Sequence, residues 1–171
     1  MSEVRVIGPK TEVEITQSAG QSRHDRYPGP RSFVDTDADR RLFFGREDET
    51  DELLHLVRAN RLLVIFGKSG LGKTSLLQAG LFPRLRDRDM LPVPVRLDQP
   101  GIKPVHAVFE ALEVTCRTYG IEKHAPGDRG GLWEFFKSTD LWRGETLQTP
   151  VIVFDQFEEL FTLQASEARA E

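Results

Sequence analysis

The sequence predicts the α/β class, a parallel β-sheet with helices on its faces, and three observations carry that expectation. Three short apolar runs have strand length: RLLVIF at 61–66, PVPVRL at 92–97 and VIVF at 151–154. Helix-like segments separate them, and strands alternating with helices build parallel sheets. The glycine-rich stretch GKSGLGKT, residues 67–74, joins the first run to a helical pattern, and the last run ends on an acid, Asp155.

Composition narrows the class further. A chain of 171 residues with 39% hydrophobic content has the length of one domain and can bury a core. A net charge of −4 gives no general electrostatic reason to bind nucleic acid or acidic membranes. Cys116 is the only cysteine, so neither an intramolecular disulfide nor a multi-cysteine metal site can form. MSEVRVIGPKTEVEI has no signal-peptide character, and the longest apolar run, Leu62 to Phe66, is far too short to cross a bilayer. A soluble cytoplasmic chain is expected, with no nucleic-acid or membrane partner.

Residues 1–30 are expected to form a flexible N-terminal segment, with the ordered domain over 31–171. VRVIG and TEVEI alternate around Gly8-Pro9, so a small hairpin is the rival reading. FFGREDETDELLHLVRAN predicts a helix from about Glu47, with Leu53, Leu54, Leu56 and Val57 on one apolar face. Acids load its first turns and Arg58 lies near its end, which suits the helix dipole. RLLVIF reads as a buried strand. TSLLQAGLF reads as a helix that Pro83 limits or bends. The two prolines of PVPVRL place that strand at an edge or at a strand start. KPVHAVFEALEVTCRTYG predicts a helix, apolar at Val105, Val108, Leu112 and Cys116. Residues 120–131 read as a polar loop, GLWEFFKSTDLW as partly helical, and Pro150 as the opening of the final strand. Arg84, Arg86 and Arg88, interleaved with Asp87 and Asp89, read as a solvated helix end. The four histidines are scattered and suggest no metal cluster.

Gly67-Lys68-Ser69-Gly70-Leu71-Gly72-Lys73-Thr74 matches G-x-x-x-x-G-K-[ST], the Walker A pattern, at every position. The chemistry needs this spacing. Backbone N–H groups must wrap a compact anion, glycines permit the turn, and the following helix adds its positive dipole, so Gly67 to Thr74 and the next residue, Ser75, are the candidate nucleotide-binding residues. Lys73 reaches the β- and γ-phosphates, and Thr74 offers a hydroxyl to Mg2+. Such a match arises by accident in roughly 1% of chains of this size, and here it has the required strand before and helix after.

In a phosphate-loop protein, an acid in the position of Asp155 binds Mg2+, as in the Walker B motif. Hydrolysis also needs a group that positions water. The residue after the aspartate is Gln156, which is not a base, so the candidates are Glu158 and Glu159. A solvated acidic helix start is the plainer alternative for that pair.

Together these stretches resemble the STAND class of P-loop ATPases, relatives of the AAA+ and NACHT proteins, and most closely the novel STAND family of largely bacterial signalling ATPases. YPGPRSFVDTDADRRLFFGRE, GKSGLGKTSLLQAGLFPRL, PVPVRL and VIVFDQFEELFT carry the likeness, over roughly residues 27–163. The resemblance implies a switch that holds ADP when idle, exchanges it for ATP on a signal, and self-associates or contacts other domains of a longer protein. It sets Gly45 and Arg46 beside adenine and ribose; a turn with a structural salt bridge at Arg46 is the alternative. NACHT proteins place an acidic pair at the offsets of Glu158 and Glu159.

The resemblance also implies five strands in the order 5-1-4-3-2, with the phosphate loop after strand 1 and the aspartate ending strand 3. RLLVIF and VIVF take those two places, and PVPVRL that of strand 2. Strands 4 and 5, the helical lid and the winged helix find no counterpart. The expectation is therefore an incomplete domain, the N-terminal portion of a longer ATPase, with unpaired strand edges where strand 4 would lie. Whether it acts alone as an enzyme stays open at this level. The alternative function is a non-catalytic fragment that docks as an interaction module. A small-molecule P-loop kinase is a third class, disfavoured because no acceptor pocket or lid is evident.

Overall fold

A computed structural model describes residues 3–8, 11–16, 31–97, 102–124 and 131–157, the first two segments as backbone only. They divide into two units, Met1–Asp87 and Arg88–Glu171.

In the first unit, β1 (Glu3–Gly8) pairs antiparallel with both β2 (Thr11–Thr16) and β3 (Val64–Gly67), giving the order β2-β1-β3. The alternating VRVIG and TEVEI runs therefore form strands, the hairpin reading. The β1 ladder runs to Gly67, the first residue of the glycine-rich loop. The expectation of a buried strand at RLLVIF is corrected. Leu62 is 70% exposed, Val64 50% and Phe66 38%. An antiparallel pairing lets one face meet water, whereas a parallel strand needs cover on both.

α1 (Asp37–Leu42) starts where the Thr36 hydroxyl accepts the Asp39 N–H, an N-cap. α2 (Glu47–Ala59) begins where the sequence predicts, and Leu53, Leu54 and Leu56 are buried while Val57 is half-buried. The helix after the loop is continuous but changes type. α3 (Lys73–Ser75) passes into a π-helical stretch, Leu76–Leu81, and then into α4 (Phe82–Arg86). The Phe82 N–H bonds back to the Leu77 carbonyl, a π-type step. Pro83 explains the position of this widening. It lacks an N–H, and its ring would meet the carbonyl one turn earlier in a regular α-helix. The wide turn absorbs the proline without ending the helix. Leu53, Leu76, Leu81 and Leu85 are almost wholly buried.

In the second unit, β4 (Met90–Val95) and β8 (Thr149–Phe154) pair in parallel, from Met90 opposite Thr149 to Val95 opposite Phe154. This is the adjacency that the resemblance implies for strands 2 and 3. The two prolines fit the pairing. The Val95 carbonyl accepts the Asp155 N–H, so Leu91, Val93 and Val95 turn their backbone groups toward β8. Alternation then directs Pro92 and Pro94 to the other edge, where no N–H is needed.

α5 (Pro104–Tyr119) packs on β4, begins with Pro104 and ends at Gly120 in the left-handed region at φ +63°. Val108, Leu112 and Cys116 join Leu91, Val93 and Val95 in the core, while Val105 is exposed. Burial raises the Cys116 thiol pKa. The stretch read as a polar loop and partial helix holds more structure. β5 (Glu122–His124), α6 (Leu132–Ser138), β6 (Asp140–Arg143) and β7 (Thr146–Leu147) follow, and the three strands form an antiparallel sheet in that order. Gly144, at φ +60°, supplies the positive φ of the two-residue turn between β6 and β7.

Candidate functional site

The glycine-rich loop leaves β3 at Gly67 and ends at Gly72, which precedes α3. Gly70 has φ +83° and Gly72 φ +72°, values that residues with a side chain adopt only under strain. Lys68, Ser69 and Gly70 are exposed, Leu71 is buried, and Gly72, Lys73 and Thr74 are half-buried. The Gly72 carbonyl accepts the Leu76 N–H at 2.8 Å and begins the helix.

Lys73 folds back over the loop. Its Nζ donates to the Gly67 carbonyl at 2.8 Å and the Lys68 carbonyl at 3.1 Å. Across a trans peptide, N–H points opposite to C=O. The Lys68 and Ser69 N–H groups are therefore turned away from the ammonium. Lys73 pairs with no carboxylate among the described residues.

Arg46 lies against the same loop. Its Nη1 donates to the Leu71 carbonyl at 3.1 Å, and its Nε to Glu49 at 3.4 Å. Neighbouring Gly45 has φ +78° and donates its N–H to Glu47 Oε1 at 3.0 Å. Backbone N–H groups of Glu47 itself and of Gly45 hold the Glu47 carboxyl below the ordinary range.

A segment over residues 31–46 is fastened along the helix that follows the loop. The Phe33 N–H donates to Ser75 Oγ at 3.0 Å, and Ser75 is 8% exposed, so this hydroxyl is engaged from the strap side. Asp35 accepts both terminal nitrogens of Arg86, and Arg40 through Nε and Nη2. Burial pushes the Asp35 carboxyl up, but hydrogen bonds from Arg86 and then Arg40 outweigh it, and the group sits below the ordinary range. Arg31 holds Asp39 through two bonds of 2.7 and 2.8 Å, and the Val34 N–H adds a third. The reading of Arg84, Arg86 and Arg88 as a solvated helix end is corrected for Arg86. Arg86 is buried on Asp35, whereas Arg84 pairs at the surface with Asp51, which is 67% exposed. The sequence signal was the acid-rich VDTDAD beside basic RR, which offers Asp35 as a partner but not which arginine it takes.

Asp155 belongs to the second unit. Its N–H continues the β8 ladder, and the next residue, Gln156, turns sharply into the left-handed region at φ +59°. Phe154 and Phe157 close the turn edge to face, with ring centroids 5.7 Å apart. Glu158 and Glu159 lie outside the described residues. Among the described residues, no group of three or more His, Cys, Asp or Glu side chains could hold a metal ion. Nor is any helix long and apolar enough to cross a membrane.

Of the predicted site residues, Arg46 stands against the loop of Gly67–Lys73, Gly45 donates to Glu47 instead, and Thr74 and Ser75 lie in the first turn of the helix that follows the loop. Comparison with curated proteins and with solved structures yields no match. The family model for Novel STAND NTPase 1 matches residues 27–171, most of the chain, and the chain belongs to that STAND NTPase family.

Proposed function

We propose that this chain is an ATP-binding switch module of a signalling STAND NTPase, with Mg-ATP held by the 67–74 loop and the Asp155 strand. The observation that carries the reading is the Lys73 ammonium, which among the described residues bonds the Gly67 and Lys68 carbonyls and no carboxylate. A phosphate is a far better partner for an ammonium than two neutral carbonyls. The positive φ of Gly70 and Gly72 supports a loop curved to turn its N–H groups onto an anion.

In this reading Lys73 leaves the two carbonyls and moves onto the β- and γ-phosphates. The N–H groups of residues 68–74 bind phosphate oxygens, and Ser75 anchors the helix start. Thr74 and Asp155 offer hard oxygen ligands, and Mg2+ needs only one or two from protein because it keeps several waters. When bound, the ion neutralises charge on the β- and γ-phosphates. Glu158 or Glu159 orients the attacking water. Exchange of ADP for ATP drives self-association or contact with other domains, in keeping with the family.

Calorimetric titration of the full chain with MgATP tests this. The wild type binds, and Lys73→Ala loses binding by at least about a hundredfold. Equal affinity of the two would overturn the reading, and no binding by either would favour a docking module that does not use nucleotide. Asp155→Asn is expected to weaken MgATP while leaving metal-free ATP binding unchanged.

A further inference from the structure

We propose that Arg46 is a positioning residue for the phosphate loop, and that it acts on bound nucleotide only through the loop backbone. This rests on the nucleotide reading of the loop and departs from a direct contact of Arg46 with adenine or ribose.

Four observations converge on it. Arg46 Nη1 donates to the Leu71 carbonyl, within the loop itself. The same nitrogen lies 3.2 Å from where a Cβ on Gly72 would stand, so the guanidinium packs flush against that glycine. Glu49 takes Nε, and the two side chains are only 13% and 12% exposed. The Arg46 carbonyl accepts the Thr50 N–H at 3.1 Å and the Thr50 hydroxyl at 2.7 Å, which ties the residue to the start of α2.

The consequence follows from peptide geometry. Fixing the Leu71 carbonyl toward Arg46 points the Gly72 N–H the opposite way. Gly72, at φ +72°, has no side chain to hold that orientation and has freedom to lose it. Arg46 therefore orients one of the donors that the loop presents to phosphate. Arginine suits the task because its planar fork serves Glu49 and Leu71 at once, which a lysine ammonium does less well. Its Nη2 is buried and meets no hydrogen-bond partner among the described residues. Such a buried unsatisfied donor calls for an explanation. The guanidinium is seated by its contacts to Leu71 and Glu49, not by saturation of its own donors.

Two ligands separate action through the loop from contact with the nucleoside: MgATP and inorganic tripolyphosphate, titrated into the full chain. Arg46→Gln is expected to weaken both by about tenfold and by the same factor. Arg46→Lys should recover part of each loss, and Glu49→Gln should weaken both by a smaller common factor. A role in global stability alone would lower the melting temperature and leave both affinities intact well below it. Loss of ATP binding with tripolyphosphate unchanged would overturn the inference in favour of adenine or ribose contact, and no loss for either ligand would also overturn it. Should Arg46→Gln fail to fold, Glu49→Gln decides by the same criterion of equal loss. A wild type that binds neither ligand would instead sink the nucleotide reading, and this inference with it.

Discussion

Arg86 donates both terminal nitrogens to the Asp35 carboxylate, at 2.6 and 2.8 Å, across 51 residues of sequence. The two side chains are 10% and 15% exposed, and Arg40 also donates to the acid. Asp35 thus fastens the strap near the far end of the helix whose near end, at Ser75, takes the Phe33 N–H. Removing Arg86 takes away the more buried of these two arginines and leaves Asp35 on Arg40, which is 31% exposed. Arg86→Met is expected to lower unfolding free energy by roughly 3 kcal/mol, read from urea denaturation. The Asp35→Asn, Arg86→Met double variant should regain much of it. An unchanged midpoint in the single variant would show that the pair contributes nothing net.

Acid should loosen the same strap. A hydrogen bond from Arg31, with a second from the Val34 N–H, lowers the Asp39 carboxyl from its ordinary 3.8 to about 2. A carboxyl lowered on folding gives stability that is full above the unfolded value and lost as pH falls through the folded one. Between those two values the unfolded chain binds more protons, so stability should fall as pH drops from about 4 to about 2. Asp35, also lowered, adds to the trend in the same direction. Denaturation midpoints measured across this window should slope less steeply for Asp39→Asn than for the wild type.

Gly80, in the π-helical stretch, lies close against Thr50 of α2 and Phe43. A Cβ there would stand 2.8 Å from Thr50 Oγ1 and 2.9 Å from Phe43 Cε1. Thr50 is 1% exposed and has little room to give. Gly80→Ala should destabilise the chain by about 2 kcal/mol through overpacking. Thermal melting provides the check, and a melting temperature equal to that of the wild type would mean the two helices part freely.

The turn after Asp155 carries backbone strain at Gln156, φ +59°. A left-handed conformation costs a residue with a Cβ about 1 kcal/mol, and glycine escapes it. Gln156→Gly should therefore raise stability slightly, and the β-branched Gln156→Val should lower it by more. If both variants melt with the wild type, the turn is not under strain in solution.

Turnover should separate from binding at the acidic pair. One of Glu158→Gln and Glu159→Gln should bind MgATP as the wild type does while phosphate release falls about a hundredfold or more. Retained release in both variants would move the water-positioning role elsewhere.

Much of this molecule is legible in short windows of sequence. The spacing of Gly67, Gly72, Lys73 and Thr74 identifies the loop before any fold is known. The acid-rich start at Glu47 and the leucines after it place α2, Gly120 ends α5, and Pro92 and Pro94 mark β4 as an edge strand. Each is a local effect, set by helix periodicity, by which φ a residue tolerates, or by whether it has an N–H to give. The β6–β7 hairpin was within reach too, through the Gly144 turn.

Tertiary structure decided the rest, because those outcomes depend on which distant segments meet. Val64 and Phe66 could equally line a buried parallel strand or a half-exposed antiparallel one, and pairing of β3 with β1 selects the second. Arg84, Arg86 and Arg88 are alike in sequence, yet only Arg86 finds Asp35 under cover, since a charge is solvated or paired according to what closes over it. Pro83 announces an irregular helix, but only the π-helical stretch shows the chain absorbing the proline without ending. Arg46 is the sharpest case. Its place in the Gly45-Arg46-Glu47 stretch suggests a nucleotide contact or a salt bridge, and the fold turns its guanidinium onto the Leu71 carbonyl of the loop itself.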